Sequence, residues 1–245
     1  MMLKGKKAII TGASRGIGKA IAIKFAEHGA FVGINFLKSY KEAEKTLQEV
    51  KQHSDGILLQ GDIGKFNEAK RIVEEFVEKA GRIDILVNNA GIYKRKKFDE
   101  LDEKQWDKTI ETNLKSCFNM CKNALPFMKE GGKIIFISSQ LALKGSPHGA
   151  DYATSKAGML GFMRSLALEL AKRKINVNAV APGTIDTDLI ANYTEEQRKK
   201  RIEEISMKRL GLPEDVANVC LFLASDLANY VTGEVILVTG GLYIG

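Results

Sequence analysis

Seven short runs rich in β-branched residues recur along this 245-residue chain, and each is separated from the next by enough sequence for a helix. They are KAIIT (7–11), AFVGIN (30–35), ILLQ (57–60), IDILVN (83–88), GKIIFIS (132–138), INVNAV (175–180) and VILV (235–238). Most are continuously apolar rather than alternating, the pattern of a strand covered on both faces. Helical periodicity fills the intervals at 16–28, 41–53, 66–79, 103–128, 152–173 and 213–225. Repeated β-α-β units of this kind predict an α/β fold: a doubly wound, seven-stranded parallel sheet with helices on both sides. No linker, repeat or low-complexity stretch interrupts the series, so residues 1–245 are expected to form a single domain. One segment breaks the rhythm. Residues 186–211 are polar and lie between the last two strands, which marks a lid or substrate-loop insertion.

Several classes are set aside by composition. No stretch approaches the roughly 18 uncharged apolar residues of a membrane span, and the start, MMLKGKKAIIT, lacks the apolar core of a signal peptide. A cytoplasmic location is the expectation. Cys117, Cys121 and Cys220 are odd in number and sit among apolar neighbours, as buried free thiols do. His28, His53 and His148 fit no ligand spacing, so no metal is expected. The net charge of +7 gathers in Lys94-Arg95-Lys96-Lys97 and Arg198-Lys199-Lys200-Arg201. Such clusters read as solvated surface or as attraction to an acidic or phosphorylated partner. Nucleic acid is not expected, because no recognition motif accompanies the charge.

Directly after the first run comes TGASRGIGKA, with Gly12, Gly16 and Gly18 leading into a helix. Glycines there let the backbone turn tightly and approach a ligand, while a helix N-terminus offers N–H groups and a positive dipole end to a pyrophosphate. The spacing is G-x-x-x-G-x-G rather than the common dinucleotide fingerprint. A P-loop is excluded, since Ala13 stands at its first glycine and Ala20 where Ser or Thr must hold magnesium. An NAD site wants a carboxylate at the end of the second strand, on the ribose 2′-hydroxyl. Here that stretch reads INFLKSYK, with no Asp or Glu between Glu27 and Glu42. Arg15 and Lys38 are candidates to hold a 2′-phosphate, so NADP(H) is the expected cofactor.

Further motifs carry a resemblance. TGASRGIG, NNAG at 88–91, Asn113 in TNL, Ser139, Tyr152 with Lys156 in YATSK, and PGTIDT at 182–187 occur in order, and VTGEVILVTGGLYIG extends the pattern to the C-terminus. Together they resemble the short-chain dehydrogenase/reductase family, and within it most the 3-oxoacyl-(acyl-carrier-protein) reductases. The resemblance implies a Rossmann-type three-layer α/β/α sandwich serving as one dinucleotide-binding and catalytic domain. It implies NADPH-dependent reduction of a 3-oxoacyl thioester in fatty acid biosynthesis. Another alcohol or carbonyl, such as a sugar, steroid or small ketone, is the alternative reading; a non-catalytic dinucleotide-binding module is a further one.

In that reading Tyr152 is the proton donor in reduction. A phenol has an ordinary pKa of about 10, and Lys156, one helical turn away, is expected to lower it and to hydrogen-bond the nicotinamide ribose. Ser139 would donate to the substrate oxygen, and Asn113 would hold a water linking Lys156 to solvent. The family's serine lies thirteen residues before its tyrosine, which selects Ser139 over Ser138. For the cofactor the resemblance implies Gly12, Ser14, Arg15, Gly16, Ile17 and Gly18 in the first turn, Lys38 after the second strand, and Asp62 and Ile63 at the adenine. It adds Asn89, Ala90 and Gly91 along the adenosine half, Tyr152 and Lys156, Pro182 and Gly183, and Ile185 and Thr187 at the carboxamide. Asn88 is read as structural, tying neighbouring strands. Of the basic positions the reductases use to dock a carrier protein, Arg173 matches, whereas the other falls on Glu130, beside Lys129. A homotetramer built on 103–128, 152–173 and the C-terminal strand is also implied.

Overall fold

The computed structural model describes residues 1–245. It contains β1 (Lys7–Ile10), α1 (Gly16–Glu27), β2 (Phe31–Phe36), α2 (Tyr40–Val50), β3 (Gly56–Gln60), α3 (Phe66–Ala80) and β4 (Ile83–Asn88). There follow α4 (Glu103–Ile110), α5 (Ser116–Ala124), β5 (Met128–Ile137), α6 (Leu141–Lys144), α7 (Ala150–Leu170), β6 (Asn176–Pro182), α8 (Glu195–Glu204), α9 (Pro213–Ala224) and β7 (Val235–Val238). All seven strands form one sheet, ordered β3-β2-β1-β4-β5-β6-β7, and every pair is parallel. The expected architecture is therefore present.

Why the strands read as continuous apolar runs is visible in the core. Successive residues point to opposite faces, and both faces are covered. Ile10, Ile34, Val87, Ile135 and Val180 enter a 28-residue cluster beneath α1, α2 and α9. Ile9, Leu59, Leu86, Ile134 and Ala179 enter a 25-residue cluster beneath α3, α5 and α7. Helix α3 presents Ala69, Ile72, Val73 and Phe76 along one buried stripe and ends at Gly81 in the left-handed conformation.

The order of the strands reverses direction between β1 and β4, and the carboxyl ends of those strands open a crevice where open α/β sheets bind ligands. Residues 186–211 lie beside this end. They contain α8, whose N-terminus carries a capping box of Thr194 and Gln197, and a small apolar cluster of Ile190, Ile205 and Leu210. Two boundaries depart from expectation. Strand β5 starts at Met128, ahead of Gly132. The helix expected over 103–128 is broken by a π-helical turn, Glu111–Lys115, between α4 and α5. Such an extra residue in a helical turn is common where a side chain must be re-aimed, and here the turn carries Asn113. No helix is long and apolar enough to cross a membrane.

Candidate active site

The glycine-rich turn links β1 to α1. Gly12 and Gly16 have φ of 62° and 55°, values that favour glycine. At Gly18 a Cβ would lie 2.4 Å from the Gly12 carbonyl oxygen and 2.5 Å from Asn89 Nδ2, so this position has no room for a side chain. The turn is pinned from β4: Asn89 Nδ2 donates to the carbonyls of Thr11 and Gly12 at 2.9 and 3.1 Å. The amides of Asn89 and Ala90 both donate to Thr11 Oγ1, at 2.9 and 3.0 Å. Asn35, from β2, accepts from the Gly12 amide and donates to the carbonyls of Leu59 and Gly61. Thr11 and Asn35 were absent from the sequence-derived site, since nothing in a lone Thr or Asn announces that it braces a turn from the neighbouring strand.

A dinucleotide fits this cradle. Helix α1 has no side-chain cap at its N-terminus and no acidic residue in its first turn, which leaves that end for an anion. Ser14 and Ile17 line the same turn, and the Ser14 carbonyl accepts from Thr46 Oγ1 at 3.1 Å. Arg15 is exposed and paired with Asp188 of the 186–211 segment at 3.3 Å. Lys38 is exposed, just past β2. Asp62 follows β3, with its carboxylate accepting from the Gly64 amide at 3.0 Å and lying 3.8 Å from Lys108 Nζ. Ile63 is buried beside it. On the other side of the crevice Pro182 ends β6, the Gly183 amide donates to the Val238 carbonyl, and Ile185 pairs with Gly211 across the base of the 186–211 segment. Thr187 lies over the turn, 3.5 Å from where a Cβ of Gly16 would be.

Lys156, Gly91 and Asn113 meet at one point. A Cβ on Gly91 would lie 3.3 Å from Asn113 Oδ1 and 3.5 Å from Lys156 Nζ. Asn113 is fully buried; its amide donates to the Ile92 carbonyl and Ser155 Oγ, both at 3.0 Å, and accepts from the Ile92 amide at 2.8 Å. This clamp on residue 92 uses most of the amide, so only the second lone pair of Oδ1 is left for the water envisaged from sequence. Lys156 does not reach for the phenol. Its ammonium donates to the Ile137 carbonyl at 2.7 Å and stands 5.7 Å from the Tyr152 ring centre.

The electrostatics differ accordingly from the expectation that Lys156 lowers the Tyr152 pKa. Burial pushes the Tyr152 phenol up to about 12, opposed by its hydrogen bond with Ser139. Burial also pushes the Lys156 ammonium down to about 8. Both shifts favour the neutral form: the phenol keeps its proton well above neutrality, and the ammonium loses its proton more easily than an exposed lysine does. Ser139 is buried at the end of β5, where its Oγ also accepts from the Leu141 amide at 3.1 Å. Ser138 donates to the Lys156 carbonyl at 3.1 Å and faces α7. Asn88 reaches α5 rather than a neighbouring strand, with Nδ2 3.5 Å from Cys121 Sγ.

These shifts have opposite signs in their effect on stability. Lys156 is less basic folded than unfolded, so unfolding takes up protons between pH 8 and 10.5 and stability rises with pH across that window. Tyr152 is less acidic folded than unfolded, so its contribution is present below pH 10 and is lost from pH 10 toward 12. Denaturant unfolding of the Lys156→Met variant should lack the rise between pH 8 and 10.5 that the parent shows. An identical pH dependence in the two proteins would contradict the buried ammonium.

A family profile described as enoyl-(acyl carrier protein) reductase matches residues 12–243. A 3-oxoacyl-(acyl-carrier-protein) reductase of Staphylococcus epidermidis is 41% identical over 242 residues, 98% of this chain and 99% of that protein. Nodulation protein G of Azospirillum brasilense is 40% identical, over 97% of this chain and 98% of that protein. Among solved structures, a short-chain dehydrogenase of Burkholderia cenocepacia in complex with NADP superposes with a TM-score of 0.94 at 32% identity, covering 99% of both chains.

Proposed function

This chain belongs to the short-chain dehydrogenase/reductase family, and on that premise we propose that it is a cytoplasmic NADPH-dependent reductase of 3-oxoacyl thioesters carried on an acyl carrier protein. The observation that carries the catalytic part is the meeting of Ser139, Tyr152 and Lys156 at the carboxyl end of the sheet, beside a glycine turn with no room for side chains. A nicotinamide dinucleotide supplies the hydride when bound. Tyr152 delivers its proton to the carbonyl oxygen as negative charge develops there. Ser139 Oγ donates a hydrogen bond to the same oxygen. Lys156, held by the Ile137 carbonyl and next to Gly91, would hold the nicotinamide ribose of the dinucleotide. Its depressed pKa suits it to give up a proton near neutrality. Asn113 fixes the main chain at Ile92, and with it the edge of this site.

The NADP preference rests on charge at the adenosine end: Arg15 and Lys38 are exposed, and no carboxylate ends β2. Replacing both with alanine should raise the KM for NADPH by about 10–100-fold, the loss of one or two charge-assisted hydrogen bonds, while the KM for NADH moves little. Equal effects on the two cofactors would contradict the assignment.

Support for a carrier-linked substrate is the net charge of +7 and the run Lys94 to Lys97, in the loop that leaves β4 on the active-site side. One observation favours the second reading, a small alcohol or ketone. Glu130 is acidic and pairs with Lys174, and the exposed Arg173 guanidinium spends one nitrogen on the Leu125 and Met128 carbonyls at 3.0 and 2.8 Å, so of the two docking positions only Arg173 offers a cation. The deciding test follows NADPH or NADH oxidation with an acetoacetyl thioester presented on carrier protein and as a free thioester. Rapid NADPH oxidation that is faster on the carrier supports the proposal; turnover only with small ketones or sugars selects the second reading. A homotetramer is part of the proposal, supported by exposed Phe118 and Leu168 on α5 and α7 and by Tyr230 and Ile244 beside β7. Light scattering would test it.

A further inference from the structure

The loop that leaves β4 places an aromatic ring directly on the proposed proton donor. Tyr93 stacks on Tyr152 with ring centres 4.3 Å apart and planes inclined by 29°. Its hydroxyl lies 3.1 Å from Ser146 Oγ. The ring also presses on the backbone just ahead of α7: a Cβ at Gly149 would be 2.5 Å from Tyr93 Cε2 and 3.0 Å from its hydroxyl oxygen. The loop itself is fastened, since the Lys96 amide donates to the His148 carbonyl at 3.1 Å and Gln105 Nε2 donates to the Lys94 carbonyl at 3.0 Å. Tyr93 belongs to neither core cluster, so holding the sheet together does not account for so complete a clamp.

We propose that Tyr93 is a positioning residue for the proton donor: packed against Gly149 and the Tyr152 ring, it holds the phenol in one orientation and keeps water from that face. The inference rests on the assignment of Tyr152 as the acid. A phenol shielded in this way keeps its proton to higher pH, because a phenolate there is poorly solvated. Removing the ring lets water in and lowers the pKa of the phenol. Reduction needs the protonated form, so the alkaline fall in rate then moves to lower pH.

The test uses the full chain with ring-labelled tyrosine. The Tyr152 signal is assigned by its loss in Tyr152→Phe, and titration is followed by NMR alongside the pH profile of kcat. For Tyr93→Ala the Tyr152 titration should move down by about one unit and the alkaline limb with it. kcat should fall about tenfold with the thioester KM little changed. Gly149→Ala should shift the titration in the same direction, because its methyl group displaces the ring. Tyr93→Phe, which keeps the ring, should restore the parent titration. An unmoved titration and alkaline limb in Tyr93→Ala would overturn the proposal. Near-parental turnover by Tyr152→Phe would instead remove the acid assignment, a separate failure that the NMR titration does not depend on.

Discussion

Tyr152→Phe should lower kcat for carbonyl reduction by about 10²–10⁴-fold, the range over which a positioned proton donor contributes, while the dissociation constant for NADPH stays within a factor of about two. The substitution removes one oxygen and leaves the ring, so the stack on Tyr93 and the packing at the start of α7 persist. Lys156 donates to the Ile137 carbonyl rather than to the phenol, and is therefore held in place without it. The glycine turn is braced by Thr11, Asn35 and Asn89, none of which depends on Tyr152. Steady-state rates and a fluorescence titration with NADPH make the two measurements. A rate within about tenfold of the parent would mean that another group supplies the proton.

Gly18→Ala is expected to damage folding and cofactor binding together. The added methyl would stand 2.4 Å from the Gly12 carbonyl oxygen, 2.5 Å from Asn89 Nδ2 and 2.9 Å from Ala13 Cα. These neighbours are backbone or a side chain already committed to two carbonyls, so relief requires the turn itself to open. Overpacking of this kind costs about 2–3 kcal/mol, which lowers the melting temperature by several degrees in a chain of this size. Opening the turn also moves the N-terminus of α1 away from Gly12, so NADPH affinity should drop about 100-fold. Thermal unfolding and cofactor titration of the same variant test both consequences. Parental values in each would show that the turn is looser than this packing implies.

Much of the architecture was legible because burial on both faces of a parallel sheet forces continuous apolar strands, and those strands announce their number and spacing. The phosphate turn was equally legible, since glycine is the residue that can stand where Gly12, Gly16 and Gly18 stand. Tyr152 and Lys156 were found through their one-turn spacing and family likeness, and they do share the face of α7 that looks on β5. That spacing could not disclose the partner of Lys156 within the chain, the Ile137 carbonyl 19 residues earlier. The π-helical turn at Glu111–Lys115 was also not read from the sequence, where the whole of 103–128 was taken as one helix.

The chain's own sequence determined the seven-strand α/β architecture and the glycine-rich turn after β1, because these follow from local stereochemistry and from which residues can bury both faces of a strand, while the proposed reactive side chains were picked out by family likeness. Only the tertiary structure decided the surroundings of those side chains, which push Tyr152 and Lys156 away from their ordinary pKa values. Tyr93 and Tyr152 are far apart in sequence yet stack at 4.3 Å, and Asn113 meets Ile92 across two elements. Desolvation and hydrogen bonding depend on what surrounds a group in space, and those neighbours exist only once β4, α7 and the turn between α4 and α5 have been brought together.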